Sequence, residues 1–178
     1  MARCVLVVGA QRSGKSRYAE GLVAASGLAP VYLAVATAGD GEMAARIGTH
    51  RKRRGEGWRT VEEPFDIAAA IAREAGAGNA ILVECLTLWL SNLMGAERDI
   101  DTATDGLIAA LERAAGPVVL VSNEVGAGII PDNALARRYA DALGTLNQRV
   151  AEVADRVVLV AAGQPLLLKP TLQPAVTL

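Results

Sequence analysis

Aromatic side chains are scarce in this chain of 178 residues: one Phe, two Trp and three Tyr make up 3% of it. A core must therefore be built from Ala, Val, Leu and Ile. Cysteine occurs twice and histidine once. No Cys-x-x-Cys pair or Cys/His spacing exists, which argues against a zinc-type site and a disulfide scaffold. Cys4 and Cys85 both lie in or beside apolar runs and are expected to be buried free thiols in a reducing compartment, the cytoplasm. Long hydrophobic runs are missing too. Cys4–Val8, Ala80–Val83 and Val157–Ala162 fall far short of the roughly 20 residues a membrane span needs. The N-terminal run leads into a Gly/Lys/Ser loop rather than a small-residue cleavage site, so it does not read as a signal peptide. Neither charge sign dominates. A net charge of -1 excludes a strongly basic nucleic-acid binder as a reading of the whole chain.

What is present is 52% hydrophobic and 21% charged, the balance of a folded globular protein. There is no linker, internal repeat or low-complexity block, so a single domain over residues 1–178 is expected. Strand-sized apolar runs alternate with amphipathic or Ala-rich stretches. Strands are predicted at Cys4–Val8, Val31–Val35, Ala80–Glu84, Pro117–Val121 and Val157–Val160. Helices are predicted at Lys15–Ala25, Gly41–Arg53, Phe65–Glu74, Leu86–Met94, Thr102–Ala115 and Asn133–Ala154. In the last of these, Leu135, Tyr139, Leu143, Leu146, Val150 and Val153 recur at helical spacing and define one apolar face. The strands show no polar alternation, which indicates an α/β fold with a mostly parallel sheet and helices on both faces. Pro165, Pro170 and Pro174 mark the tail as an edge strand with an irregular end. Trp58 and Trp89 read as packing residues.

The strongest local signal is Gly9-Ala10-Gln11-Arg12-Ser13-Gly14-Lys15-Ser16. It follows a predicted strand and opens a predicted helix, the context that a phosphate-binding loop requires. Glycines let successive backbone N–H groups turn toward phosphate oxygens, and the helix N-terminus adds a favourable dipole. Lys15 would reach the β- and γ-phosphates, and the Ser16 hydroxyl would ligate Mg²⁺. At average glycine usage a chance match in a chain this long is roughly a one-in-a-hundred event. A P-loop NTPase-type domain is therefore expected.

Ligands of parallel sheets sit beyond the carboxyl ends of the strands. Ile81-Leu82-Val83 runs into Glu84, and Val119-Leu120-Val121 runs through Ser122-Asn123 to Glu124. Glu84 would hold Mg²⁺ through water, accept a substrate proton or bond a base. Glu124 reads equally as such a group or as the cap of a turn. His50, followed by Arg51, Lys52, Arg53 and Arg54, reads either as part of a solvated basic helix end or as a nucleophile toward phosphorus flanked by cations.

Taken together, several runs resemble one family. They are Gly9–Ser16, Arg17-Tyr18-Ala19-Glu20, Glu42-Met43-Ala44-Ala45-Arg46-Ile47 with His50, Glu84-Cys85-Leu86-Thr87, Asn123-Glu124-Val125-Gly126 and Asn147-Gln148-Arg149. The chain is similar over nearly its whole length to the bifunctional adenosylcobinamide kinases / adenosylcobinamide-phosphate guanylyltransferases. The resemblance implies phosphorylation of the aminopropanol hydroxyl of adenosylcobinamide with ATP or GTP. It then implies transfer of GMP from GTP to the new adenosylcobinamide phosphate, through a guanylylated histidine that maps onto His50. It places nucleotide contacts at Gly9–Ser16, Ala34, Val35, Ala36, Arg51, Lys52, Arg53, Arg54, Glu62 and Glu84. It also implies a homotrimer. Val35 stands where members often carry Thr, and Thr49 where some carry a second His.

Two other functions remain open on the residues alone. A small-molecule P-loop kinase without nucleotidyl transfer would need the loop but not His50. A guanine-nucleotide switch would need an Asn-Lys-x-Asp motif, which the chain lacks; Asp141-Ala-Leu-Gly144 falls inside the long predicted helix.

Overall fold

A computed structural model describes residues 3–36 and 57–171. The elements follow in the order β1 (Cys4–Gly9), α1 (Lys15–Ala24), β2 (Ala29–Ala34), β3 (Arg59–Glu62), α2 (Ile67–Glu74), β4 (Asn79–Glu84) and α3 (Leu86–Gly95). They continue with α4 (Ile100–Arg113), β5 (Val118–Asn123), α5 (Ala134–Val153), β6 (Arg156–Ala161) and β7 (Gln164–Lys169). The strands form one seven-stranded sheet ordered β3-β2-β4-β5-β1-β6-β7. Every pairing is parallel except β6–β7, a hairpin at the edge.

The continuous apolar strands are explained by cover on both faces. Leu6, Val8, Val31, Leu33, Ile81, Val83 and Leu120 point to one side and pack with residues of α2, α3, α4 and α5. Val7, Leu82, Val119, Val121 and Val158 point to the other and pack with Ala19 and Val23 of α1. Each fully buried aliphatic side chain of this kind contributes about 1.5–3 kcal/mol. Trp89 is buried in the larger layer, and its indole N–H donates to the Phe65 carbonyl at 2.6 Å. Its packing role is thus as predicted from the sequence.

Helix starts differ from the predicted bounds because short acceptors set them. Asp66 caps α2 by accepting from Ala69 N, and Asp99 caps α4 by accepting from Thr102 N. Asn133 caps α5 by accepting from Leu135 N and Ala136 N. Such caps stabilise a helix by about 1 kcal/mol each. Three further readings need correction. Leu135, placed on the apolar face of α5, is 64% exposed, because it lies in the solvent-exposed first turn of that helix; Leu143, Leu146 and Val150 are buried. β3 was not foreseen, since Arg-Thr-Val-Glu is a polar edge strand with mostly exposed side chains. Val35 lies just past β2 rather than within it. The predicted Gly41–Arg53 helix lies outside the described residues.

Cys4 and Cys85 are free thiols and both are buried, as expected. Burial, then the Asp155 charge, pushes the Cys4 thiol up to about 12. Burial, then the Glu84 charge, pushes Cys85 upward as well.

Candidate functional site

The site lies where the strand connections diverge. From β1 the chain crosses one face through α1 toward β2, and from β5 it crosses the other face through α5 to β6. The carboxyl ends of the adjacent strands β1 and β5 therefore flank a crevice of the type that binds ligands in open parallel sheets.

The glycine-rich loop spans the first of these ends. Arg12 has φ 58° and Gly14 has φ 95°, so the loop coils back on itself before α1 begins. Gly9 has no room for a side chain: a Cβ there would lie 2.5 Å from the Val160 carbonyl oxygen and 2.6 Å from Ser13 Oγ. The loop is braced from the β6–β7 turn, where Gly163 N donates to Ser13 O at 2.8 Å. Ala10, Gln11 and Arg12 form its exposed tip, while Ser13 and Lys15 are buried. Lys15 Nζ donates to the Ala10 carbonyl at 3.1 Å, which holds the ammonium against the loop. In contrast to α2, α4 and α5, α1 has no side-chain cap; its N-cap is Gly14. Its first-turn N–H groups are thus directed at the loop, which suits an anion.

Ser16 and Glu84 meet across the site. Ser16 Oγ, in the first turn of α1, donates to Glu84 Oε1 at 2.5 Å. Glu84 ends β4, where Ala34 is its register partner on β2; Ala34 in turn pairs with Glu62 on β3. Ala34, Glu62 and Glu84 therefore form one row along the carboxyl edge, and Val35 and Ala36 extend it. Glu124 lies at the next strand end. Its backbone N–H donates to Gly9 O, and its carboxylate accepts from Gly126 N at 2.9 Å. That bond caps the turn after β5, one of the two readings open for this residue. His50, Arg51, Lys52, Arg53 and Arg54 lie outside the described residues.

The structure adds a brace that the sequence did not reveal. Thr87 Oγ1 accepts from Asn123 N at 3.0 Å, Asn147 Nδ2 donates to Asn123 O at 3.1 Å, and the Tyr139 hydroxyl donates to Thr87 O at 2.8 Å. These bonds tie the end of β5 to α3 and α5, and α3 to α5. Burial, then the Cys85 charge, pushes the Tyr139 hydroxyl up to about 12, so it remains a donor. Tyr139 had been read as one member of an apolar face; only its polar tip distinguishes it from the Leu residues there. Asn123 Oδ1, Asn147 Oδ1 and Ser13 Oγ are buried without hydrogen-bond partners, leaving unused polar capacity at this edge. Among the described residues no group of three or more His, Cys, Asp or Glu side chains could hold a metal ion by itself.

A parallel sheet with a glycine-rich loop between β1 and α1, and an acid at a neighbouring strand end, defines a P-loop NTPase-type fold. Comparison with known proteins narrows the class. The family model described as cobinamide kinase / cobinamide phosphate guanyltransferase matches residues 5–168, and the chain belongs to that family. It is 49% identical over 166 residues to the bifunctional adenosylcobalamin biosynthesis protein CobP of Pseudomonas aeruginosa, covering 92% of this chain and 96% of the relative. It is 44% identical over 176 residues to the bifunctional adenosylcobalamin biosynthesis protein CobU of Salmonella typhimurium, covering 89% of this chain and 96% of the relative. The CobU protein of Escherichia coli is 40% identical over 174 residues, with 89% and 96% covered. The resemblance read from the phosphate loop, the Glu84–Thr87 strand end and the Asn123–Gly126 turn is thereby borne out.

Proposed function

We propose that this protein phosphorylates the aminopropanol hydroxyl of adenosylcobinamide with ATP or GTP. It then moves GMP from GTP onto the new phosphate through a guanylylated His50, giving adenosylcobinamide-GDP and pyrophosphate. The observation that carries this reading is the Ser16–Glu84 contact. It joins the phosphate loop, common to many nucleotide-binding proteins, to the strand end that is specific to this family.

In the first reaction the substrate hydroxyl attacks the γ-phosphorus, and the bond to the bridging oxygen breaks to release the nucleoside diphosphate. Backbone N–H groups of Gly9–Ser16 hold the phosphates. Lys15, swung from the Ala10 carbonyl, neutralises charge on the transferring group. In the second reaction a nitrogen of His50 attacks the α-phosphorus of GTP, and pyrophosphate leaves. A phosphate oxygen of the acceptor then attacks the same phosphorus, and the N–P bond breaks. Arg51, Lys52, Arg53 and Arg54 follow His50 in sequence and supply cations for this exchange between anions. Ala34, Val35, Ala36 and Glu62 contact the nucleotide along the sheet edge.

Ser16 and Glu84 present a hydroxyl and a carboxylate side by side, the hard oxygen donors that Mg²⁺ prefers. They would hold the ion together with triphosphate oxygens and water, and the ion would supply charge neutralisation. The same reading makes the protein a cytoplasmic homotrimer. No helix among the described residues is long and apolar enough to cross a membrane.

The test uses Mg²⁺ and GTP labelled at the α-phosphate, without corrinoid. Acid-labile label on the wild-type chain and none on His50→Ala is the expected result. A wild type that phosphorylates cobinamide yet takes up no label would leave a kinase without covalent nucleotidyl transfer.

A further inference from the structure

The carboxyl edge of the sheet extends well beyond the phosphate loop. β2 lies three strands from β1, and β3 four. At the usual strand spacing the exits of β2 and β3 are about 14 and 19 Å from the end of β1. A triphosphate anchored at the loop does not span that distance, so these exits serve the nucleoside end of the ligand. This step rests on the nucleotide reading above.

Asn92 controls both exits. It lies on α3, one turn after Trp89. Its carboxamide Nδ2 donates to the Val35 carbonyl at 2.8 Å and to the Pro64 carbonyl at 3.0 Å. Both side-chain N–H bonds are thus committed, one to the residue that follows β2 and one to the segment that follows β3. Trp89 supports the second grip through its bond to Phe65 O. Sheet pairing aligns Ala34 with Glu62, but it ends there. Just past that pair Glu63 N donates to Ala34 O at 2.9 Å, and beyond it the Asn92 amide bridges the two departing chains. The phosphate-holding β1 and loop are held by β5, β6 and the Gly163 contact, and Ser16 meets this edge only through Glu84, whose carbonyl accepts from Val35 N.

We infer that Asn92 is a positioning residue for guanosine recognition: it fixes the β2 and β3 exits at the spacing that receives the nucleoside of GTP, while the phosphate loop binds the phosphates independently. It makes no contact with the reacting atoms. Its effect comes from where it holds Val35 and Pro64, and small misplacements of binding groups carry large penalties.

The test compares two ligands by calorimetric titration on the intact protein, with EDTA in place of Mg²⁺ so that GTP binds without reacting with the chain. GTP engages both ends of the site, whereas inorganic tripolyphosphate engages only the loop. The variants are Asn92→Leu, which keeps the volume and removes the donors, and Asn92→Gln, which retains a carboxamide. If Asn92→Leu does not fold, judged by its thermal unfolding curve, Asn92→Ala takes its place. The expected result is at least a tenfold loss of GTP affinity in the donor-free variant, tripolyphosphate affinity within twofold of wild type, and partial recovery of GTP binding in Asn92→Gln. Equal losses for both ligands would reveal a merely structural role and overturn the inference, as would unchanged GTP binding. A wild type that binds GTP no tighter than tripolyphosphate would overturn the assignment of the nucleoside end itself, and the inference with it.

Discussion

Ser16 Oγ donates to Glu84 Oε1 at 2.5 Å, a contact between residues 68 positions apart in the chain. It brings the first turn of α1 against the end of β4. An exposed hydroxyl would find water there. This one finds a carboxylate, and the residue before it in the chain, Lys15, is buried.

Glu84→Gln keeps the shape of the side chain and removes its charge. Kinase and guanylyl transfer should fall together, by about a hundredfold. The Mg²⁺ concentration for half-maximal rate should rise as well. The check is a Mg²⁺ titration of both rates, with Ser16→Ala in parallel. A fall in one reaction alone would place Glu84 with that reaction's second substrate instead.

Lys15→Ala should abolish most of both activities, with losses beyond about a hundredfold. On the proposed reading both reactions draw a triphosphate into the same loop. Lys15 is held against Ala10 O, so the variant should stay folded, and circular dichroism checks this. Survival of one activity at the wild-type rate would require two nucleotide sites.

Gly9→Ala tests the packing beneath the loop. A methyl group there meets the Val160 carbonyl and Ser13 Oγ inside contact distance, and the carbonyl belongs to the sheet. Overpacking of this kind costs about 1–3 kcal/mol. Urea unfolding should show that loss, with weaker nucleotide binding. Gly21→Ala, whose Cβ meets nothing within 4 Å, should behave as wild type or better.

Much of the fold could be read from the sequence, because burial on both faces leaves a plain signature. Ala80–Val83 and Val118–Val121 are unbroken apolar runs since each strand packs against helices on two sides. The phosphate loop was legible because its chemistry is local: glycines, lysine and serine act within one turn of chain. Arg59–Glu62 was not, because an exposed edge strand needs no apolar pattern. Nor was the brace of Thr87, Asn123, Tyr139 and Asn147. Its bonds join three separate elements, and no spacing along the chain encodes them. Asn92 gave one weak sign, an amide inside the apolar stretch Leu86–Met94.

Two carboxylates make stability depend on acid. Asp155 accepts from Cys4 N and Arg3 N, bonds that hold its carboxyl below the ordinary range. The hydrogen bond from Arg59, foremost, does the same for Glu74. A depressed carboxylate stabilises the fold above its unfolded pKa, about 4 for these groups, and that stabilisation is lost as pH falls through the folded value. Unfolding midpoints should therefore drop below about pH 4. Asp155→Asn keeps an acceptor oxygen but no charge, so its midpoint should vary less with pH in that range. An unchanged pH profile in this variant would remove Asp155 from the explanation.

The thiols give a simpler check. With Cys4 pushed to about 12 and Cys85 also raised, neither should react with iodoacetamide at pH 8 in the folded protein. Both should react in denaturant. Rapid alkylation of the native chain would mean that one of them is open to solvent.

On the proposed mechanism GMP passes through the protein on its way to the corrinoid. The direct measurement is a chase. Wild-type enzyme is labelled with GTP carrying the label at the α-phosphate, freed of nucleotide by gel filtration, and mixed with adenosylcobinamide phosphate. The account predicts that label leaves the chain and appears in adenosylcobinamide-GDP at a rate no slower than turnover. Label that stays on the protein, while unlabelled product forms on addition of fresh GTP, would contradict it.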